Sequence, residues 1–263
     1  IGVRINGKTT YYGAKGNSSG KVKVTAPFFW SFNKNDQRRD LTFANFDIRE
    51  GDNGNTIETM QGNSPFGIYL AKWDPRKMTD KWLNAARASA DKVATGINNV
   101  IMRYSDVLLL YAEALNEVEG SYEIPSWNGE TMYTITRSAT ALKEGIQPIR
   151  IRAGIPDYTR SEYEDQDLFR EKLKRERQIE LMGEGHRYYD IRRWKDAEVE
   201  ESLPIYGCNT LMTEKWRDVF HVPVAIPSLP TNFSRKMYFW PISHSELKRN
   251  KMLTQNPGWT YND

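Results

Sequence analysis

Catalysis by this chain would need acids, bases or nucleophiles that converge on one substrate atom. The three histidines, His186, His221 and His244, are scattered, and no HxxxH or CxxC spacing offers a metal site. There is no GxSxG, no P-loop, and no GxGxxG following a strand. Asp165 with Asp167 and Glu200 with Glu201 are close in sequence. Such near neighbours do not aim two carboxylates at one atom, so they read as surface charge. His186 lies in a charged helical segment and reads as a hydrogen-bonded structural histidine. The single cysteine, Cys208, rules out an internal disulfide. The residues point to a protein that is not an enzyme and needs no cofactor or metal.

Binding chemistry is better represented. Sugars present C–H faces to aromatic rings and hydroxyls to amides and carboxylates. The stretch from Tyr122 to Tyr133 has that composition, with Trp127 and Asn128 adjacent in a predicted loop holding Pro125 and Gly129. It reads either as a ligand platform or as a lid packed on the neighbouring helices. Phe28, Phe29 and Trp30 follow Pro27. Three consecutive large aromatics cannot all face inward on one element, so Phe29 and Trp30 form a second candidate surface. Eight Trp and fourteen Tyr among 263 residues suit a protein that stacks on ligands.

These groups need a scaffold, and the stretch from Asp167 to Lys195 supplies its centre. Ser161 and Glu164 have capping-box spacing just before it. Phe169 and Leu173 share a helical face that continues through Arg177, Glu180 and Glu184. Charges on an apolar stripe need partners, because an unpaired buried ion costs several kcal/mol. The expected pairs are Arg177 with Glu180 or Glu184, and Glu180 with Arg187. Gly183 and Gly185 permit a break before a second helix, His186 to Lys195.

The other elements follow from periodicity and breakers. Gly67 to Trp73 reads as a strand, Lys81 to Ala94 as a helix and Gly96 to Asn99 as a loop. Tyr104 to Glu119 reads as a helix with Val107, Leu108, Leu110, Tyr111, Ala114, Leu115 and Val118 on its apolar face. A helix from Ala139 to Ile146 is interrupted at Pro148 and resumes over Ile149 to Ala153. Prolines 204, 223, 227 and 230 break Glu201 to Phe233 into loops and short extended pieces. Lys236 to Pro241 looks β-like, Ser243 to Asn250 is a short capped helix, and Asn256-Pro257-Gly258 is a turn. With 37 basic and 34 acidic residues, and no basic stripe, nucleic acid is not an indicated partner. No apolar run of about 18 residues could span a membrane as a helix.

Four segments, in order, resemble the SusD/RagB family. ERQIELMGEGHRYYDIRRW (Glu176 to Trp194) is similar to the family's ER-x-x-E-L-x-x-EG-x-R-x-x-D-L-x-RW pattern. RYSDVLLLYAEALNE (Arg103 to Glu117), IRIRAGIP (Ile149 to Pro156) and FWPISHSELKRNKMLTQNPGW (Phe239 to Trp259) match three further family stretches. Ser243, Lys251 and Trp259 depart from the family's usual proline, proline and tyrosine.

The resemblance implies a mainly α fold with extensive loops and a few short strands, built from TPR-type helical hairpins and an irregular C-terminal subdomain. The expected regions are 1–100 (loops and short strands), 101–197 (hairpins and signature helix) and 198–263 (irregular). Family chains are about twice as long, with a lipidated cysteine and a helical half at the N-terminus. By that comparison this chain corresponds to the C-terminal part, and an apolar stripe on Tyr104 to Glu119 should face solvent. Arg177, Glu180, Glu184, Arg187, Asp190 and Trp194 fall on the family pattern as structural residues. Asp36-x-Arg38, within DQRRD, is similar to a family segment that pins a loop, and Trp73 falls on a scaffold strand. The implied function is non-catalytic capture of glycans, or of peptides in some members. The implied location is the extracellular face of the outer membrane, through a lipid anchor, with a SusC-like TonB-dependent transporter barrel as partner. The rival reading is a helical-repeat module that binds only proteins.

Overall fold

The computed structural model describes residues 5–6, 22–50, 56–60, 66–72, 79–81, 100–208, 222–229 and 231–260, with backbone alone at 5–6, 47–50 and 56–60. Trp73, residues 82–99, His221 and Pro230 lie outside the described residues. The chain is mainly helical with a few short strands. It divides into two compact units, Ile1–His186 with Tyr206–Val224, and Arg187–Ile205 with Ala225–Asp263.

In the first unit, α1 (Ala26–Trp30), α2 (Gln37–Thr42) and short strands precede a group of longer helices. Strand β1 (Ile5–Asn6) runs parallel to β3 (Phe46–Glu50), which pairs antiparallel with β4 (Thr56–Met60). Strand β2 (Phe43–Ala44) pairs with β5 (Tyr69–Leu70). The strand predicted over Gly67 to Trp73 is therefore only two residues of ladder. Ile68 to Ala71 are all buried, so the stretch is core and not an alternating surface strand.

Helix α3 (Tyr104–Asn116) packs against α4 (Ala139–Arg152), and α5 (Arg160–Glu164) leads into α6 (Gln166–Glu180). Leu109, Ala112 and Leu115 of α3 meet Leu142, Ile146 and Ile149 of α4 and Phe169 and Leu173 of α6 in one core. The predicted face of α3 is thus corrected. Leu109 and Ala112 point inward, whereas Tyr104, Val107, Leu110 and Tyr111 form the solvent-facing apolar stripe, Tyr104 being 73% exposed.

Helix α4 runs unbroken through Pro148, contrary to the predicted interruption. Proline removes one helical hydrogen bond, at roughly 3 kcal/mol. Leu142, Ile146 and Ile149 lie on one buried face across that turn, so core packing holds both sides of it. The close crossing depends on Gly145. A Cβ there would meet the Leu108 carbonyl oxygen at 2.6 Å and Ala112 Cβ at 2.8 Å.

The capping box belongs to Thr159 and Glu162, two residues before the predicted Ser161 and Glu164. Helix α6 has its own cap: the Asp165 carboxylate accepts from the Leu168 N–H at 3.0 Å. A β-conformation at Asp165 separates the two helices and makes room for both caps.

In the second unit, α7 (His186–Arg193) continues past Gly183 and Gly185, whose positive φ values make the predicted break. It is followed by α8 (Ala197–Glu200), a 3-10 turn at Arg235–Tyr238 and α9 (His244–Arg249). The 3-10 turn replaces the β-like segment predicted at Lys236 to Pro241. Ile191, Ala197 and Phe233 form a small core, with Met237 and Tyr238 against it. That core draws the 235–238 backbone into a turn. Strands β8 (Tyr206–Cys208), which belongs to the first unit, and β9 (Pro223–Ala225) pair with one another as short extended pieces of the proline-rich stretch.

Candidate functional site

Charge is concentrated inside the first unit. The Arg38 guanidinium donates to both Asp36 oxygens at 2.9 and 2.7 Å, and to Glu176 and Glu180 at 2.6 and 2.9 Å. Arg150 takes the other Glu176 oxygen at 2.8 Å, and Arg103 and Arg152 converge on Glu180. Glu184 accepts from Arg103 at 2.8 Å and from Lys72. Lys72 also donates to the carbonyls of Glu180 and Met182, at the C-terminal end of α6 where cations are favoured. Asp36, with Arg38, pins the start of α2, and its side chain caps that helix.

The partners differ from those predicted. Arg177 pairs with Asp106 of α3 at 2.7 Å. Glu180 receives arginines from three segments earlier in the chain. Arg187 pairs with Glu200 at 2.8 Å, and Asp190 with Arg193. Spacing along one helix reveals a stripe, but it does not reveal which distant cations cover it.

Burial raises the cost of charge on Glu180, but hydrogen bonds from Arg152 and Arg103 and the Arg103 charge hold its carboxyl down to about 2. Glu184 is likewise lowered against burial by Arg103 and Lys72. A general acid needs a carboxyl raised toward neutrality, and these two move the other way. Among the described residues no group of three His, Cys, Asp or Glu side chains could hold a metal ion. His186 Nδ1 lies 3.5 Å from Arg177 Nη2 and 3.9 Å from Asp106.

The predicted loop at Ser121 to Glu130 is instead one arm of an antiparallel hairpin, β6 (Ser121–Pro125) with β7 (Met132–Thr136). Tyr122-Glu123-Ile124 and Tyr133-Thr134-Ile135 alternate in the sequence, but Pro125, Asn128 and Gly129 between them outweigh that signal in favour of a loop. Tyr122 faces Ile135 and Ile124 faces Tyr133, which puts these four on one side. Ile135 packs on the core, whereas Tyr122, Ile124 and Tyr133 remain about half exposed. The opposite side is polar and cross-linked by Thr134 to Glu123 and Thr136 to Ser121. The hairpin thus touches the helical core through Ile135 and leaves its aromatic side chains half in solvent.

Trp127 stands at the hairpin tip, 97% exposed. Asn128 beside it is occupied by the turn: its oxygen accepts from Ser126 Oγ and the Glu130 N–H, and its amide donates to Glu130. In α1, Phe28 and Phe29 pack on a second core around Ile68 and Ile179, while Trp30 is exposed. Phe29 and Trp30 meet edge to face at 5.6 Å.

The second unit holds an aromatic cleft that sequence reasoning missed. It has a volume of about 460 Å³ and is walled by Tyr188, Phe233, Phe239, Trp240 and Trp259. On its floor Arg192 stacks on Tyr188 at 3.5 Å and donates to both oxygens of Glu201 at 3.0 and 3.1 Å. One wall is fixed by the last segment of the chain. Asn256 donates to the Trp240 carbonyl at 2.6 Å, Gln255 bonds both polar groups of the Ile242 backbone, and Trp259 Nε1 donates to the Phe239 carbonyl at 2.9 Å. The side chains of QNPGW thus clamp the backbone of FWPI, which neither motif suggests alone.

The SusD family model matches residues 5–259. The chain belongs to the SusD family. A curated SusD-like protein P2 from Formosa agariphila is 32% identical over 165 residues, covering 62% of this chain and 26% of that protein. A SusD-like protein from Bacteroides fragilis superposes with a TM-score of 0.61 at 20% identity, covering 90% of this chain and 47% of that one. A SusD-like carbohydrate-binding protein from the same species gives 0.57 at 20% identity, covering 86% and 47%. The chain spans about a quarter of that curated relative and about half of those solved structures. At such identities the structures speak for a shared SusD fold, and ligand contacts must be argued from this chain's own side chains.

Proposed function

We propose that this SusD-family chain captures glycans without transforming them. The observation that carries the reading is the solvent-projecting aromatic hairpin, with Trp127 at its tip and Tyr122 and Tyr133 on one face. A hairpin that exposes three aromatics has the make-up of a stacking platform. Trp30, with Phe29 behind it, is the second surface of the same kind. The low carboxyl pKa values and the ion-paired environment of Glu180 and Glu184 support a structural use of the buried charge. In the full reading, the whole protein is a lipid-anchored lid on the extracellular face of the outer membrane. It hands oligosaccharide to a SusC-like TonB-dependent transporter. The carbohydrate-binding relative from Bacteroides fragilis supports the ligand class.

The test is retention of the full protein in affinity gels cast with soluble polysaccharides, followed by calorimetry on any glycan that retards it. Retardation lost in Trp127→Ala with the fold intact supports the reading. Mobility unaffected by every polysaccharide would reject it.

A further inference from the structure

The C-terminal cleft is concave, aromatic and polar at its base, and the hairpin argument does not use it. Its volume of about 460 Å³ falls within the ~300–1,000 Å³ typical of small-ligand sites. We infer that this cleft is a second carbohydrate site, which stacks a neutral pyranose ring on Trp240 and holds its hydroxyls with Glu201 and Asn232. The inference rests on the glycan-binding reading.

Three features carry it. Trp240 is 77% exposed and yet sits on a backbone fixed by Asn256, Gln255 and Trp259. Fixing the backbone leaves only the two side-chain torsions of the ring to be ordered on stacking. Arg192 and Glu201 neutralise one another through two hydrogen bonds at the base. That pairing neutralises the two groups against each other, Lys236 Nζ lies 4.3 Å over the Trp259 ring, and the partly exposed Glu201 carboxylate retains lone pairs for hydroxyl donors. Asn232, at the rim, is exposed, and its amide makes no hydrogen bond among the described residues. An apolar face, a neutralised acid and an unspent amide match a hexose, with its C–H face and its ring of hydroxyls. An apolar peptide side chain would use the aromatic wall but neither the Glu201 carboxylate nor the Asn232 amide.

The probe is a set of neutral hexasaccharides (malto-, cello-, xylo- and manno-) titrated into the full protein by calorimetry. Wild type is compared with Trp240→Ala, Trp240→Phe, Asn232→Ala and Trp127→Ala. Trp240 and Asn232 are exposed, so these variants keep the fold, which circular dichroism checks. For the hexasaccharide that binds, Trp240→Ala should weaken Kd about fivefold at one site, corresponding to ~1 kcal/mol of stacking. Trp240→Phe should restore most of that loss, and Asn232→Ala should weaken the same site. Binding with Kd and stoichiometry unchanged in Trp240→Ala overturns this inference and leaves the glycan reading standing. If no hexasaccharide binds wild type, this inference falls, and the glycan reading is decided separately by the affinity gels.

Discussion

Arg177 and Asp106 form a buried ion pair at 2.7 Å, with side chains only 3% and 5% exposed, between helices α6 and α3. Taking such charges out of water costs several kcal/mol, which their mutual attraction and hydrogen bonds must offset. Removing one partner strands the other. Asp106→Ala should therefore cost about 3–5 kcal/mol in urea unfolding, whereas an apolar replacement of both residues should recover much of the loss. A single-mutant cost below about 1 kcal/mol would mean that the pair is not buried in solution.

Acid should unfold the protein through Glu180. Its folded pKa of about 2 lies below the ordinary 4.5, so the charged form is favoured by folding. The associated stability is present above about pH 4.5 and is lost as pH falls toward 2. It amounts to about 3 kcal/mol at 1.36 kcal/mol per pKa unit. Melting temperature measured from pH 6 to pH 2 should drop across this window, and Glu180→Gln should flatten the drop. A slope unchanged in the variant would contradict the assignment.

Gly145→Ala tests the helix crossing. The new methyl gains up to ~1 kcal/mol of helix propensity. It must also fit where the Leu108 carbonyl and Ala112 already stand, and the nearer obstacle is backbone. Overpacking of this kind costs typically ~1–3 kcal/mol, so a net loss of about 1–2 kcal/mol is expected by chemical denaturation. A stabilised variant would show that the helices separate easily.

Cys208 is buried, and burial pushes its thiol pKa up to about 12. At neutral pH it should resist thiol reagents in the native state and react at the rate of unfolding. Rapid labelling without denaturant would show that the strand pair around it opens on its own.

Trp127→Ala should separate function from stability. The side chain is almost wholly in solvent, so unfolding should change by no more than about 0.5 kcal/mol. Affinity for a bound glycan should fall about fivefold, or ~1 kcal/mol. Thermal melts and calorimetry on the same preparation decide it.

The helical part of the fold was legible because α3 and α6 carry long periodic stripes that outweigh local noise. What went unread depends on distant contacts. Pro148 breaks an isolated helix but not one whose Leu142, Ile146 and Ile149 are gripped by a core. The partners of Glu180 come from positions 38, 103 and 152, which no spacing on α6 encodes. The hairpin at 121–136 alternates apolar and polar residues on both strands, but Pro125, Asn128 and Gly129 between them carry the stronger loop signal. Trp127 was legible as exposed because its own neighbours are polar. Trp240 was not, because only the clamp from Asn256 and Trp259 shows that its ring is held over a cleft.

The distribution of the buried charge along the chain also fixes an order of events during synthesis. Arg38 emerges from the ribosome 138 residues before Glu176, its partner on α6. At ~5–20 residues per second, that is a wait of roughly 7–28 s. Arg103, Arg150 and Arg152 also appear before the acids that neutralise them. A nascent chain stopped short of α6 lacks the Glu176 and Glu180 carboxylates and leaves uncovered the apolar side chains that α6 would cover. The charge network of the first unit closes only when α6 arrives with those carboxylates.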